Sequence, residues 1–531
     1  MKRFFFALLV LSSAIAASTA TAQARPMVPP GERVYRDIDR LAAAGLIDTL
    51  VLGARPFSER EVVRLLSEAQ RNLSRNPNAQ AWAAPTIAGD LARWTRGKIK
   101  PMDAAFVELS EMDNPYRPAP VDPNGKIDAV INPLAANRSA RVIANGFTAD
   151  FETFHSVTLG SHVALSINPK LVTVTPRAGG MPASTLLRLQ TGSANFLFGN
   201  LSIDAGRDYT IFGQAPSGGL LLSDNAPPLN MVRVSNDIPF ELPWWLHAFG
   251  PMRATAFVAD LGPTHQVHPH SKLIGYHIAA LPVRQLEVGL EVIDAMGGKG
   301  GQPATFGDRV LDVVPIFDVF RSGSDFQFSN KMAGGDFHWR VPSWRGFELY
   351  GETGLDDFDA RRLRIVFLQD GGYIAGTSLS CILECGRLGV RAEYRQTGIR
   401  YYTHYDYFLA EHQELLGDPL GPRGLGGYLT VDGESHAGIY GALTGAFEVR
   451  SGNTYSSHVT NSSGANFHFV LAARRPGEKR ERVMATLSTD RGTQRVSVRA
   501  TAGVEHVTNF RFVAGSDRNN VLGTVGLMVR P

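Results

Sequence analysis

Few residues of this 531-residue chain carry types and spacings that could do chemistry. His265, His268 and His270 form H-x-x-H-x-H, and imidazole is a frequent metal ligand. The zinc motif H-E-x-x-H needs a helix and a Glu, and this segment has neither; with Pro263 and Pro269 beside it, the reading is an exposed loop and no metal. Cys381 and Cys385 enclose three residues between strands predicted over 373–380 and 387–396. A hairpin loop of that length can bring two sulfurs into bridging range, so a structural disulfide is favoured; redox catalysis usually shows C-x-x-C. Gly192-Ser193-Ala194 and Thr454-Tyr455-Ser456-Ser457-His458 place serines near a histidine, but no G-x-S-x-G elbow occurs. No catalytic residue and no cofactor is predicted.

Arginine and aromatic side chains offer binding rather than catalysis. Arg387, Arg391, Arg395, Arg495 and Arg499 fall on the polar faces of alternating segments, together with Glu291, Glu348, Glu352, Glu393 and Glu505. The guanidinium fork matches carboxylates such as those of uronic acids. The near-equal number of Glu favours the plainer role, mutual ion pairing across a wall. Trp244-Trp245, Trp339, Trp344, Tyr401-Tyr402, Tyr405 and Tyr407 could stack on the apolar C–H faces of sugars. They could equally form the aromatic girdle of a membrane barrel. For Trp244-Trp245, after Pro239 and Pro243, the two roles weigh evenly; adjacent residues on a strand point opposite ways, so at most one would face lipid.

The elements that must position these residues fall into three parts. Residues 1–24 read as a signal peptide: Lys2 and Arg3, an apolar run Phe4–Ala17, and the small-residue site Ala22-Gln23-Ala24. Residues 25–115 read as a helical segment. Val34, Ile38, Leu41 and Ala42 make one stripe ending at Gly45; Ser58 and Glu61 make a capping box before Val62, Leu65, Leu66, Ala69 and Leu73; a third helix is predicted to begin at Pro85. From 116 to 531 period-2 alternation dominates. Leu388, Val390, Ala392 and Tyr394 oppose Arg387, Arg391, Glu393 and Arg395; Val496, Val498, Ala500, Ala502 and Val504 oppose Arg495, Ser497, Arg499, Thr501 and Glu505. At roughly 23 residues per strand and connection, this stretch yields about 16–18 strands, the range of outer-membrane barrels. A single closed barrel so wide cannot fill its interior with side chains, so its apolar residues should point outward. Formal charge is +3, with 53 basic and 50 acidic residues, which gives no reason to expect nucleic acid.

Several segments carry a resemblance. They are Val34-Tyr35-Arg36-Asp37-Ile38-Asp39-Arg40-Leu41 with Ala44-Gly45-Leu46-Ile47-Asp48 and Arg55-Pro56-Phe57-Ser58; Gly206-Arg207-Asp208-Tyr209; Gly218-Gly219-Leu220-Leu221-Leu222-Ser223-Asp224-Asn225-Ala226-Pro227-Pro228; Asn330-Lys331-Met332-Ala333-Gly334-Gly335-Asp336-Phe337; Leu349-Tyr350-Gly351-Glu352; and Leu416-Gly417-Asp418-Pro419-Leu420-Gly421-Pro422. In this order and spacing the chain resembles the capsule assembly Wzi family. The resemblance implies an 18-stranded outer-membrane β-barrel of a Gram-negative cell, a small periplasmic helical part, and a lectin-like role in holding capsular or other exopolysaccharide. It supplies no catalytic residues. The chain ends Met528-Val529-Arg530-Pro531, without the aromatic terminus common in such barrels.

The expectation is therefore a non-enzymatic transmembrane antiparallel β-barrel, monomeric, exported by a cleaved signal peptide. Its partners would be polysaccharide, outer-membrane lipid and the barrel-assembly machinery. The glycan-binding candidates are Arg207, Asp208, Trp244, Trp245, Arg391, Arg395 and Tyr401, with segment 206–228 as an inward loop. A porin or specific channel shares every barrel feature and is the alternative, followed by a barrel hydrolase.

Overall fold

The computed structural model describes residues 23–531 except 96, 98, 115–116, 122–126, 137–143, 178–181, 217, 302–328, 357–369, 384–385, 405, 460–466 and 491–493, and without side chains at 456–459 and 467–470. Most of the expected signal peptide, Tyr405, Cys385 and the Ser456–His458 side chains lie outside the described residues.

Three helices come first: α1 Arg33–Ala43, α2 Glu59–Arg71 and α3 Pro77–Trp94. The Ser58 side chain accepts the Glu61 N–H at 3.2 Å, so the cap forms as its sequence dictates. The stripes Val34, Ile38, Leu41 and Val62, Leu65, Leu66, Ala69 are buried against each other and against Trp82 and Trp94. The third helix differs from expectation. It begins at Pro77, with Asn76 accepting from the Ala79 N–H, and runs straight through Pro85. Burial of Ala79, Trp82, Ala83 and Ile87 on both sides of that proline supplies the packing that local propensity lacks.

Eighteen antiparallel strands form a closed barrel. They are β1 Ile99–Met112, β2 Gly146–Leu159, β3 Val163–Pro176, β4 Ser184–Phe198, β5 Leu201–Asp208, β6 Leu229–Asn236, β7 Met252–Asp260, β8 Lys272–Val283 and β9 Leu286–Met296. There follow β10 Ser329–Val341, β11 Phe347–Asp356, β12 Gly371–Leu379, β13 Leu388–Thr397, β14 Gly424–Glu434, β15 Tyr440–Arg450, β16 Glu478–Ser488, β17 Val496–Thr508 and β18 Arg518–Val529. Each strand pairs with the next, and β18 closes on β1 with Ala105 opposite Val529 and Met112 opposite Leu522. The expected boundary at 115/116 is thereby corrected: the barrel begins at Ile99. Val107 and Leu109 face out while Phe106, Glu108 and Met112 are buried, and the apolar residues on both faces blur the period-2 signal that marks the other strands.

The outward face is apolar. Val496, Val498 and Val504 on β17, Leu425, Leu429 and Val431 on β14, and Val521, Val525 and Leu527 on β18 are exposed, while Glu505, Glu448 and Arg480 are buried inside. This inversion is stable only with hydrocarbon around the barrel. The two ends also differ. Connections at the helical end are short, such as 160–162, 199–200 and 284–285; those at the far end are long, such as 209–228, 398–423 and 451–477.

Candidate functional site in the barrel lumen

The lumen is filled from both ends. At the helical end, α1–α3 form a cap tied to the turns of the barrel. Arg40 pairs with Glu434 at 2.7 Å, Arg60 with Asp237 at 2.9 Å, and Arg33 Nη1 donates to the Asp490 carbonyl at 2.7 Å. The Arg36 guanidinium lies 3.7 Å above the Tyr440 ring. Inside the cap, burial and the nearby Asp37 hold the Asp90 carboxyl well above the usual range. Burial alone would raise Glu32 as well, but Arg93 and Arg530 outweigh it and hold that carboxyl below its usual value.

From the far end, two long connections fold inward and meet. Residues 209–228 carry Leu220, Leu221 and Leu222, all buried, each contributing roughly 1.5–3 kcal/mol in removing an aliphatic side chain from water. Residues 398–423 carry Tyr401, Tyr402, Tyr407 and Phe408 into the same core. Ser223 Oγ donates to the Gly417 carbonyl at 2.7 Å, and Asn225 Nδ2 to the Leu415 carbonyl at 3.0 Å. Tyr401 lies on a notch in the wall: a Cβ at Gly354 would stand 2.3 Å from its hydroxyl oxygen, and one at Gly372 2.6 Å from its ring. Gly219 is required by close approach, since its Cβ would fall 1.8 Å from the Phe212 carbonyl oxygen.

Wall carboxylates hold the plug by its backbone. Glu352 accepts the Gln214 and Ala215 N–H groups at 2.7 Å and the Leu220 N–H at 2.8 Å. Glu287 accepts from the Leu52 and Gly53 N–H groups at 2.9 and 2.7 Å, and from Gln214 Nε2 at 2.8 Å. Gln214 Nε2 also reaches Asp336 at 2.6 Å, and His277 Nε2 meets Asp336 at 3.0 Å. Arg395 pairs with Asp418 of the plug and with Glu393 at 3.3 Å. Asp418 accepts the Leu420 N–H at 2.7 Å, and its own N–H donates to Tyr402 Oη at 2.8 Å. The segments that carry the resemblance thus converge. Gly218–Pro228, Asp336, Glu352 and Leu416–Pro422 lie far apart in sequence and share one contact network.

The candidate binding residues do not form one cluster. Arg395 and Tyr401 are buried in the plug and have no surface to offer a glycan. Asp208 is buried and pairs with Arg233 at 3.0 Å. Arg391 is half-buried on β13; Arg207 is half-buried near the far end of β5 and has no ion pair among the described residues. Trp244 and Trp245 are 77% and 74% exposed in a 3-10 turn, Trp244–Phe249, at the helical end. They are not on a strand, so the rule that only one can face outward does not apply. His265 corrects the exposed-loop reading of the histidine triplet: it is buried and stacked on Phe408 at 4.4 Å. No group of three or more His, Cys, Asp or Glu suited to a metal occurs among the described residues. Cys381 is disulfide-bonded and packs against the helical cap; Cys385 lies outside the described residues. Sequence reasoning missed Gln214 and Glu287, whose signal would have been a glutamine between Gly213 and Ala215 in an otherwise apolar inward loop.

The fold and its filled interior define a class: a lipid-facing β-barrel whose lumen is plugged by its own loops and capped by helices. The sequence matches the family model "Capsule assembly protein Wzi" over residues 129–522, and the chain belongs to that family. Among solved structures, Wzi of Escherichia coli, an outer-membrane protein involved in group 1 capsule assembly and described as a carbohydrate-binding β-barrel, matches with a TM-score of 0.68 at 16% identity over 96% of this chain and 100% of that one. Pseudomonas aeruginosa OccD3 (TM-score 0.44, 9% identity, 82% and 92% of the two chains) and Acinetobacter baumannii OccAB1 (0.44, 8%, 82% and 98%) are more distant barrels. No curated protein matches the sequence significantly.

Proposed function

We infer that this protein sits in the outer membrane and holds capsular or other exopolysaccharide at the cell surface, as a binding protein rather than an enzyme or a channel. The observation that carries this reading is the filled lumen. Glu352 holds the 209–228 loop by its backbone, Glu287 holds it by the Gln214 side chain, Arg395 holds Asp418, and an apolar core that includes Tyr401, Tyr402, Tyr407 and Phe408 occupies the interior. A pore needs an aqueous path; here loops and cap occupy it. The long loops of the far end then face the cell exterior, and the short turns with the helical cap face the periplasm. Many weak contacts from one polymer to many copies of the barrel sum to retention. The remaining parts of the reading are export by cleavage of residues 1–24, insertion by the barrel-assembly machinery and a monomeric state. The Wzi likeness supports the glycan, since that protein is described as carbohydrate-binding.

The test is made on cells and on purified protein together. Deleting the gene should release polysaccharide from the cell surface into the medium. The protein reconstituted in planar bilayers should show no steady conductance. Steady open channels in the bilayer, with surface polysaccharide unchanged in the deletion strain, would overturn the reading.

A further inference from the structure

Charge is unevenly distributed around the far end. Segment 398–420, which enters the plug, carries Arg400 against Asp406, Glu411, Glu414 and Asp418. Segments 421–423, 451–477 and 509–518 carry Arg423, Arg474, Arg475, Arg511 and Arg518 against Asp517 alone. These three segments are joined. The Ser451 N–H donates to the Arg423 carbonyl at 2.9 Å, Arg423 Nη1 to the Asn453 carbonyl at 3.1 Å, and Asn509 Nδ2 to the Gly477 carbonyl at 3.1 Å. Arg474, Arg475, Arg511 and the half-buried Arg518 therefore stand on one continuous loop rim, with Arg423 buried at the joint between its segments. Arg474, Arg475 and Arg511 are exposed and have no ion pair among the described residues.

What lies beneath adds to the charge. Arg450 and Arg480 point into the lumen, fully buried, sharing Glu478 at 2.7 and 3.4 Å; Arg480 also meets Glu448 at 3.1 Å. Several of their nitrogens, Arg450 Nε and Nη1 among them, have no acceptor in hydrogen-bonding geometry among the described residues. Phe512 lies over Arg450 at 5.4 Å, Phe510 beside Arg518 at 4.3 Å, and Tyr455 beside Arg423 at 5.8 Å. Asn509, Arg511 and Phe512 all hold positive φ (56°, 56° and 62°), a conformation L-residues adopt at a cost. The 509–517 loop thus accepts strain to place its phenylalanines on guanidinium faces and its Arg511 side chain outward.

We propose that this rim docks the carboxylates of an acidic polysaccharide, with its exposed Arg474, Arg475 and Arg511 as counter-charge and the half-exposed Phe512 and Tyr455 as stacking surface for the sugar rings. The proposal rests on the glycan-retention reading and specifies which glycan class and which loops. It commits to a polymer rather than to anionic lipid because the loops close over the lumen-facing Arg450, away from the outward apolar wall. A regularly spaced uronate chain could engage several of these arginines at once.

The experiment uses the full-length protein in detergent, immobilised, with three probes: polygalacturonate, neutral dextran, and phosphatidylglycerol vesicles. Variants are Arg474→Ala/Arg475→Ala/Arg511→Ala and, as a control at the helical end, Arg284→Ala. All four arginines are exposed, so folding is verified by heat-modifiable migration alone. Wild type should bind polygalacturonate, more weakly as salt rises, and prefer it to dextran. The triple variant should lose about tenfold in affinity, since each exposed charge contact contributes a few-fold. Arg284→Ala should match wild type. Equal binding of polygalacturonate and dextran, indifferent to the triple variant, overturns this proposal and leaves the retention reading standing. An effect of the triple variant on vesicles alone makes the rim a lipid contact and also overturns it. Binding of neither glycan, with cell-surface polysaccharide intact in the deletion strain, overturns both.

Discussion

Replacing Glu352 should unlatch the plug while leaving the barrel closed. Its two oxygens accept three backbone N–H groups from residues 214, 215 and 220, all at 2.7–2.8 Å in a buried setting. Glu352→Ala orphans all three donors. Each buried donor left unsatisfied costs about 1–3 kcal/mol. Water can enter the space vacated, so the low end applies, giving about 3 kcal/mol, or about 100-fold in the plug's opening equilibrium. Glu352→Gln keeps one acceptor oxygen where Gln214 and Ala215 converge and turns an amide N–H toward Leu220, so roughly tenfold is expected. The barrel ladder does not run through this side chain and should be unaffected. Amide exchange in detergent micelles, followed by mass spectrometry, reads both quantities. Peptides covering 213–222 should lose protection in the order wild type, Gln, Ala, while peptides from β17 stay unchanged. Unchanged exchange at 213–222 in Glu352→Ala, or equal loss in β17, would refute the idea that wall carboxylates hold the loop.

Other expectations follow from the same geometry. Asp418→Ala removes one of the buried acidic partners of Arg395; breaking a buried pair costs about 3–5 kcal/mol, read as a lower temperature for the heat-induced mobility change, and Arg395→Met/Asp418→Leu should recover most of the loss. In the cap, the raised Asp90 means the folded state holds a proton that the unfolded chain releases above its ordinary 3.8. That contribution is complete below 3.8 and is lost as pH rises through the raised value, so Asp90→Asn should remove the decline in cap stability with rising pH. Fluorescence of the buried Trp82 and Trp94 measures it. Glu32 acts oppositely, its contribution fading as pH falls below 4.5, so the acid side of the profile should persist in Asp90→Asn. Finally, Trp244→Ala/Trp245→Ala should leave polysaccharide retention within about twofold of wild type, because both lie at the end opposite the long loops; a large loss would place glycan contacts at the helical end.

The sequence by itself determined what local chemistry can determine. Ser58 and Glu61 dictate a helix start wherever α2 packs, because a cap needs only its own turn. Alternation in 387–395 and 495–505 dictates strands, and the apolar side of each turned outward as the width of the barrel demanded. Where alternation is blurred, as in Ile99–Met112, period alone misassigned the element. The resemblance pointed to the right segments, but nothing in them states what they touch. Only the tertiary structure decided that Arg395 and Tyr401 are consumed inside the plug, that Trp244 and Trp245 sit on a turn at the helical end, and that Glu352 grips a backbone more than 130 residues away in sequence. The physical reason is that a barrel side chain's fate depends on which loop folds back over it. That is fixed by closure of eighteen strands and by the meeting of two long connections, neither of which is a property of any local window of residues.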